Sequence, residues 1–239
     1  MAFSGIKPRI LVSACLLGKS VRYDGEHQRQ DWLAGPFRKR VIYSSVCPEV
    51  EMGLGVPRDT LRLQGAPVKM IVTRTGKDLT PLARQTSLKL LAGLPELDGC
   101  ILKSRSPSCG IRRVKLYEGP ALFCRKGQGI FAAELKRDQR WAALPVADEV
   151  ELEDPERRIS FLVQVFFSAA FRKAGNSLQS LRKLHQELRP FLLANDAVRM
   201  DGKVGKSGYR MHVLKAIRRA GRAKNLRELL PRGIRAESE

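Results

Sequence analysis

The run Ile10-Leu-Val-Ser-Ala-Cys-Leu-Leu-Gly18 decides how this chain is read. Arg9–Ser13 has the continuous apolar character of a strand buried on both faces, and it gives way to a cysteine in a turn-like segment closed by glycine. The arrangement recurs twice. Val41–Ser45 reads as a second strand, ending at Val46-Cys-Pro-Glu49, and Gly99–Leu102 as a third, leading into Ser106-Pro-Ser-Cys-Gly110. Between them a helix is expected after Thr80-Pro81, with Thr80 as N-cap, Pro81 at the first helical position and a face containing Leu82, Leu88, Leu90 and Leu91. A short helix over Ile130–Arg137 and an edge strand at Leu144-Pro-Val146 complete the pattern. Strands alternating with helices predict an α/β domain of three layers around a mostly parallel sheet. Sites in such sheets collect beyond the carboxyl ends of the strands, so Cys15, Cys47 and Cys109 are expected on one rim.

Three converging thiolates would leave a tetrahedral metal centre one ligand short, which suits substrate binding better than a purely structural clip. The chain has no Cys-x-x-Cys pair, and His27, His185 and His212 stand in no zinc-like spacing. Both zinc and an iron–sulfur cluster are compatible with the residues alone; dispersed cysteines favour the cluster. Cys100, inside the apolar third strand, reads as a small core residue, and Cys124 has no evident chemical neighbours. Glu49 lies two residues from Cys47, where a turn aims its carboxylate at whatever the metal binds. Ser106 and Ser108 flank Pro107 just before Cys109, as turn caps or as hydrogen-bond partners of a substrate.

Composition sets the frame. The chain has 239 residues, 43% hydrophobic, enough to bury a sizeable core. It carries no long apolar N-terminal segment, and the Ile10–Leu17 run is too short to span a bilayer, so a soluble, cytoplasmic protein without membrane association is expected. Five cysteines at wide spacings argue against a disulfide framework. The formal charge is +20, of which residues 1–155 contribute +8 and residues 156–239 contribute +12. That bias points to a polyanionic partner, nucleic acid rather than membrane, because the basic segment lacks a clean amphipathic face rich in bulky aromatics.

From Asp154 the pattern becomes helical. Asp154-Pro-Glu156 starts a helix whose stripe of Ile159, Leu162, Val163, Phe166, Phe167 and Ala170 is core or domain-packing surface. Gly175-Asn-Ser177 breaks it, and a second helix carries Leu178, Leu181, Leu184, Leu188 and Leu192, with Pro190 limiting its regularity. Asn195–Gly208 is polar and glycine-rich, and a basic helix is expected from about Tyr209 to Leu230. The division drawn from this change is a domain over 1–153 and a smaller, basic, all-helical region over 154–239.

Four blocks in order resemble the thiouracil desulfurase (TudS) family: Val12-Ser-Ala-Cys-Leu-Leu-Gly18, Val21-Arg-Tyr-Asp-Gly25, Cys47-Pro-Glu-Val50 with Gly53-Leu-Gly-Val-Pro-Arg58, and Leu102-Lys-Ser-Arg-Ser-Pro-Ser-Cys-Gly110. The resemblance covers roughly residues 8–150. The wording Lys103-Ser-Arg-Ser-Pro-Ser-Cys-Gly-Ile-Arg-Arg-Val-Lys115 is most similar to longer relatives with a C-terminal YbgA-type helical domain, among them RudS desulfidases acting on 4-thiouridine in tRNA. It implies that Cys15, Cys47 and Cys109 hold a [4Fe-4S] cluster with one open iron. It further implies that Glu49 activates water and that Ser106 is the catalytic serine, in a replacement of thiocarbonyl sulfur by oxygen without net redox change. Ser13, Asp24 and Ser108 are the expected substrate contacts, with Arg22 beside Asp24. After Asp154 the likeness fades, and the chain reads as a shortened form of the two-domain relatives. The expected substrate is thiolated uridine, in tRNA or as a thiolated nucleotide or nucleobase such as thiouracil, with the basic C-terminal region binding nucleic acid. Two other readings stay open: an RNA-binding module with a structural metal site, and a tRNA sulfur-transfer (thiolation) enzyme.

Overall fold

The computed structural model describes Phe3, residues 5–118, 121–141, 143–175, 177–194, 206–220, 226–231 and Ile234. In chain order the elements are β1 (Arg9–Ser13), α1 (Asp31–Ala34), β2 (Ile42–Val46), α2 (Pro48–Glu51), β3 (Leu61–Gln64), β4 (Lys69–Val72), α3 (Thr80–Gly93), β5 (Gly99–Leu102), β6 (Val114–Glu118), β7 (Ala121–Gly127), α4 (Ile130–Arg137), β8 (Val146–Asp148), α5 (Pro155–Ala174), α6 (Leu178–Ala194), α7 (Lys206–Ala220) and α8 (Leu226–Leu229). The main sheet runs β2-β1-β5-β8 and every pairing in it is parallel. Its two faces are filled by alternate residues of the same strands. Leu11, Cys100 and Leu102 pack with Leu91 of α3 and Phe131 and Leu135 of α4. Ile10, Val12 and Ile101 pack with Phe161, Leu162, Val165 and Phe166 of α5. This is the expected three-layer α/β architecture, and Cys100 is the core residue the apolar strand predicted, fully buried.

The layer on the second face is α5, so the boundary drawn before residue 154 falls at the start of a helix that covers the sheet. Asp154 caps it, Oδ1 accepting from the amides of Glu156 and Arg157 at 2.9 and 3.2 Å. Arg172 then reaches back to Asp98, which is fully buried ahead of β5. Two guanidinium hydrogen bonds of 2.9 and 2.8 Å and the Arg9 amide at 2.7 Å satisfy that carboxylate. Helices α6, α7 and α8 pack on α5 through Leu181, Leu184, Leu188, Val213, Ile217 and Leu226, continuous with the same core. Residues 195–205 and 221–225 of the expected polar stretch and basic helix lie outside the described residues.

Close packing of α5 explains Gly99. A Cβ there would come within 2.5 Å of Val165 Cγ2. Gly99→Ala should therefore cost about 1–3 kcal/mol by overpacking. Urea denaturation checks this, and Val165→Ala in the same chain should restore part of the loss by removing the colliding methyl.

Three local expectations are corrected. Thr80 is the first residue of α3 and not its cap: its Oγ1 accepts the Met70 amide at 2.8 Å, tying α3 to β4, while its own amide is held by Asp78 Oδ1 at 2.8 Å. The buried face of α3 is Ala83, Thr86, Ser87 and Leu91, the last as expected, whereas Leu82 and Leu88 are exposed; α2 and α4 pack against the helix. The last strand begins at Val146 and extends to Asp148, two residues later than expected, since Pro145 cannot donate to the ladder.

A second sheet, β4-β3-β6-β7, was not anticipated. The β3 and β4 strands are antiparallel across Gly65, whose φ of 75° suits a tight turn, and β6 and β7 form another antiparallel pair. Its small core joins Leu63, Met70 and Val114 to Met52, Ala83 and Ile130.

Candidate active site

The main sheet changes direction around β1: the chain goes from β1 to β2 on one side, then crosses to β5 on the other. The crevice beyond the carboxyl ends of these strands is where such a sheet forms its site. A cavity of about 440 Å³ occupies it, lined by Cys15, Cys47 and Cys109 together with Ser13, Glu49 and Ser106.

Each cysteine is placed by backbone geometry. After β1 the chain makes a single tight turn over Ala14–Leu17, closed by Gly18 at φ 88°, which buries Cys15 at the rim. Cys47 stands between β2 and Pro48, the first residue of α2, so Glu49 projects from the first turn beside it. Cys109 sits in a loop that doubles as the cap of α4: the amides of Ile130 and Ala132 donate to the carbonyls of Pro107 and Ser108 at 3.0 and 3.2 Å. Gly129 allows this approach, since a Cβ there would lie 2.3 Å from the Ser108 carbonyl oxygen.

Burial pushes the Cys15 thiol up to about 11, with Cys47 nearby adding to the rise. Burial also raises Cys47, and raises Cys109 well above the ordinary thiol range; there the Ser13 hydroxyl opposes the shift, while Glu49, Cys15 and Cys47 reinforce it. Three thiols that disfavour one another's ionisation in one cavity form a donor set that a metal's positive charge would ionise. Among the described residues no three His, Cys, Asp or Glu side chains are close enough to hold a single ion. Buried thiols gathered in one cavity are the donor chemistry that an iron–sulfur cluster takes.

Glu49 is held from two sides. Oε2 accepts from Arg58 Nε and Nη2 at 3.0 and 2.7 Å, and Oε1 accepts from Ser108 Oγ at 3.0 Å. The side chains of Arg58 and Glu49 are only 4% and 13% exposed. Arg58 also donates to the carbonyls of Val21 and Gly55, both at 3.0 Å, so its position is set by the backbone. A carboxylate has about four acceptor sites, and these partners leave capacity toward the cavity.

The two serines have different surroundings. Ser106 Oγ accepts the amides of Ser108 and Cys109 at 3.2 and 3.0 Å, capping the loop while facing the cavity; Ser108 is buried behind it and is the one that touches Glu49. Ser13 Oγ accepts the Lys103 amide at 2.9 Å, linking the ends of β1 and β5. Asp24 does not line the cavity. It grips Arg22, which does, with bonds of 3.1 and 2.7 Å, and that guanidinium holds the Asp24 carboxyl down to about 2.

Among the lining residues to which the sequence assigned no role are Arg58, Lys103, Ser104 and Glu149. Glu149, buried just after β8, accepts from Ser104 N at 2.7 Å and Ser104 Oγ at 2.6 Å and pairs with Lys103. Arg58, Lys103 and Ser104 sat inside blocks already singled out; Glu149 had no local signal at all. A larger cavity of about 680 Å³ between α4, β8 and α5 contains no cysteine.

Among the described residues no helix is long and apolar enough to cross a membrane. The solved structure of the [4Fe-4S]-dependent thiouracil desulfidase TudS is 34% identical, with 62% of this chain and 95% of that chain covered and a TM-score of 0.46. A Bacillus subtilis (strain 168) protein, the uncharacterized YbbK, is 34% identical over 157 residues, which is 61% of this chain and 98% of its own length. The family profile described as 2-thiouracil desulfurase matches residues 10–149, from the second residue of β1 to the buried Glu149. All three cysteine loops and the Glu49–Arg58 pair fall within that match, and this chain belongs to the 2-thiouracil desulfurase family.

Proposed function

We propose that the protein is an iron–sulfur-dependent desulfidase that replaces the thiocarbonyl sulfur of a thiolated uracil or uridine by oxygen. The observation that carries this reading is the convergence of three buried thiols on one cavity with a carboxylate held at its wall. Cys15, Cys47 and Cys109 would hold a [4Fe-4S] cluster. A cluster held by three thiolates would leave one iron without a protein ligand and would supply a Lewis acid for sulfur. Glu49, oriented by Arg58 and Ser108, accepts a proton from water as the water adds to the ring carbon. The Ser106 hydroxyl, its lone pairs engaged by two amides, keeps its proton to donate toward the cavity. Arg22 and Lys103 bring positive charge to the same walls. Water enters, hydrosulfide leaves, and no electron is transferred in the net exchange.

The preferred substrate in this reading is 4-thiouridine in tRNA, supported by the +12 charge of residues 156–239. The test is anaerobic reconstitution followed by incubation with thiolated tRNA, thiouridine or thiouracil. Loss of thiouridine absorbance with stoichiometric sulfide is the expected result; the absence of turnover on every one of these substrates rules the reading out. Faster turnover of tRNA than of free thiouracil, lost at high salt, is expected for an RNA substrate.

A further inference from the structure

The carboxyl ends of β5 and β8 meet beside the thiol cavity. Their register pairs Leu102 with Asp148, so the residues that follow, Lys103 and Glu149, come together. Glu149 is buried and accepts three donors from the turn after β5: the Ser104 amide at 2.7 Å, the Ser104 hydroxyl at 2.6 Å and the Lys103 ammonium. Burying a carboxylate is costly unless it is paired and hydrogen-bonded, and here the described partners are Lys103 and its neighbour. The Lys103 amide donates to Ser13 Oγ at 2.9 Å, which ties the same turn to the end of β1.

Lys103 differs from Arg22 and Arg58, which line the same cavity, in the donors it has left. Arg58 gives Nε and Nη2 to Glu49 and also serves two carbonyls, and Arg22 is gripped by Asp24 through Nε and Nη2. An ammonium has three donors. Ser104 Oγ, at 3.1 Å, and Glu149 Oε1 are the described partners of Lys103 Nζ, so one N–H remains on a side chain that lines the cavity. Burial raises all three thiols. Among charges Glu49 adds most to that rise at Cys47 and Cys109, and among cations Lys103 opposes it most at Cys15. The base and the lysine thus act on different thiols of the set.

We infer that Lys103 is the cation that stabilises the negative charge sulfur acquires as the C–S bond breaks, and that Glu149 is its positioning residue. The inference rests on the desulfidase reading and adds a charge partner for the leaving group. In the exchange the C–S electron pair goes to sulfur. Of the two protons of the incoming water, one is taken by Glu49 and the other leaves with sulfur as hydrosulfide. A cation already held in place where charge develops costs no reorganisation at that moment, which is the physical basis of oxyanion-hole-type stabilisation.

The experiment takes reconstituted wild type, Lys103→Met and Lys103→Arg through thiouracil turnover and a titration with sodium hydrosulfide followed by absorbance. Lys103→Met should keep its iron and sulfide content, hold KM within about twofold and lower kcat by about tenfold to a hundredfold. Its affinity for hydrosulfide should fall about tenfold, as for loss of a hydrogen bond to a charged group. Lys103→Arg, which keeps the charge, should recover part of both losses. Glu149→Gln should lower kcat by about three- to tenfold alone and add less than about twofold in the Lys103→Met background, as expected of a residue acting through the lysine. If Lys103→Met does not fold, that double variant, which removes the buried charge with its partner, takes its place. Loss of iron, a rise in KM at unchanged kcat, or hydrosulfide binding unaltered by the substitution overturns the role of Lys103. Additive losses at the two positions overturn that of Glu149. If the wild type turns over no thiolated substrate, the desulfidase reading has failed and the hydrosulfide titration decides alone. Weaker binding in Lys103→Met that Lys103→Arg restores then upholds Lys103 as the partner of anionic sulfur, and unchanged or undetectable binding overturns it.

Discussion

Glu49→Gln should leave iron and sulfide content at wild-type levels and lower kcat by about 10²–10⁴-fold, the range lost when a positioned general base is removed. The amide is close in shape to the carboxylate and can still accept the Ser108 hydroxyl. It cannot take a proton from water at neutral pH. Its neighbour Arg58 keeps two carbonyl partners, Val21 and Gly55, so the loop that carries it has a reason to stay in place. Two measurements on one preparation check this: absorbance of the reconstituted protein, and the rate of sulfide release. Turnover within a fewfold of wild type would remove Glu49 from the chemistry, whereas loss of iron would make it a structural partner of the cluster loops. The variant also separates catalysis from an RNA-binding module with a structural metal, for which Glu49→Gln should be silent.

The second large effect concerns the thiols. Cys47→Ala should reduce the reconstituted iron to background and abolish desulfidation, while Cys100→Ala retains both. The contrast follows from placement. Cys47 is half-buried at the cavity wall, its thiol donating to the Val21 carbonyl at 3.6 Å, and its loss leaves the main core untouched. Cys100 points into the layer beneath the sheet, away from the cavity, where the alanine deletes only a small apolar contact. Circular dichroism on both variants distinguishes a lost ligand from a lost fold. Full iron in Cys47→Ala, or its selective loss in Cys100→Ala, would show that the ligand set is wrong.

What could be read in advance tracks how local the cause is. β1 and β5 coincide with their expected spans, because a continuous apolar run ending at a turn has few alternatives in an α/β chain. α4 also matched, and Asp154 capped α5 as the Asp-Pro-Glu pattern predicts. Helix α3 was placed correctly and half of its expected face holds: Leu91 is buried and Leu90 packs against the core, whereas Leu82 and Leu88 are exposed. Its buried face also takes in Ala83, Thr86 and Ser87, and α2 and α4 pack against the helix. The second sheet escaped because β3 and β6 mix polar and apolar residues without a continuous apolar run, and the β3–β6 pairing joins segments about fifty residues apart.

By itself the sequence determined the parallel α/β core, the three cysteine loops and the position of Glu49 beside Cys47, all consequences of patterns within a few residues. Only the tertiary structure decided that the three thiols share one cavity, that Arg58 and Ser108 grip Glu49, and that α5 is the layer covering the sheet. Those relations depend on distances between residues remote in the chain, which packing and loop closure establish and no local pattern encodes.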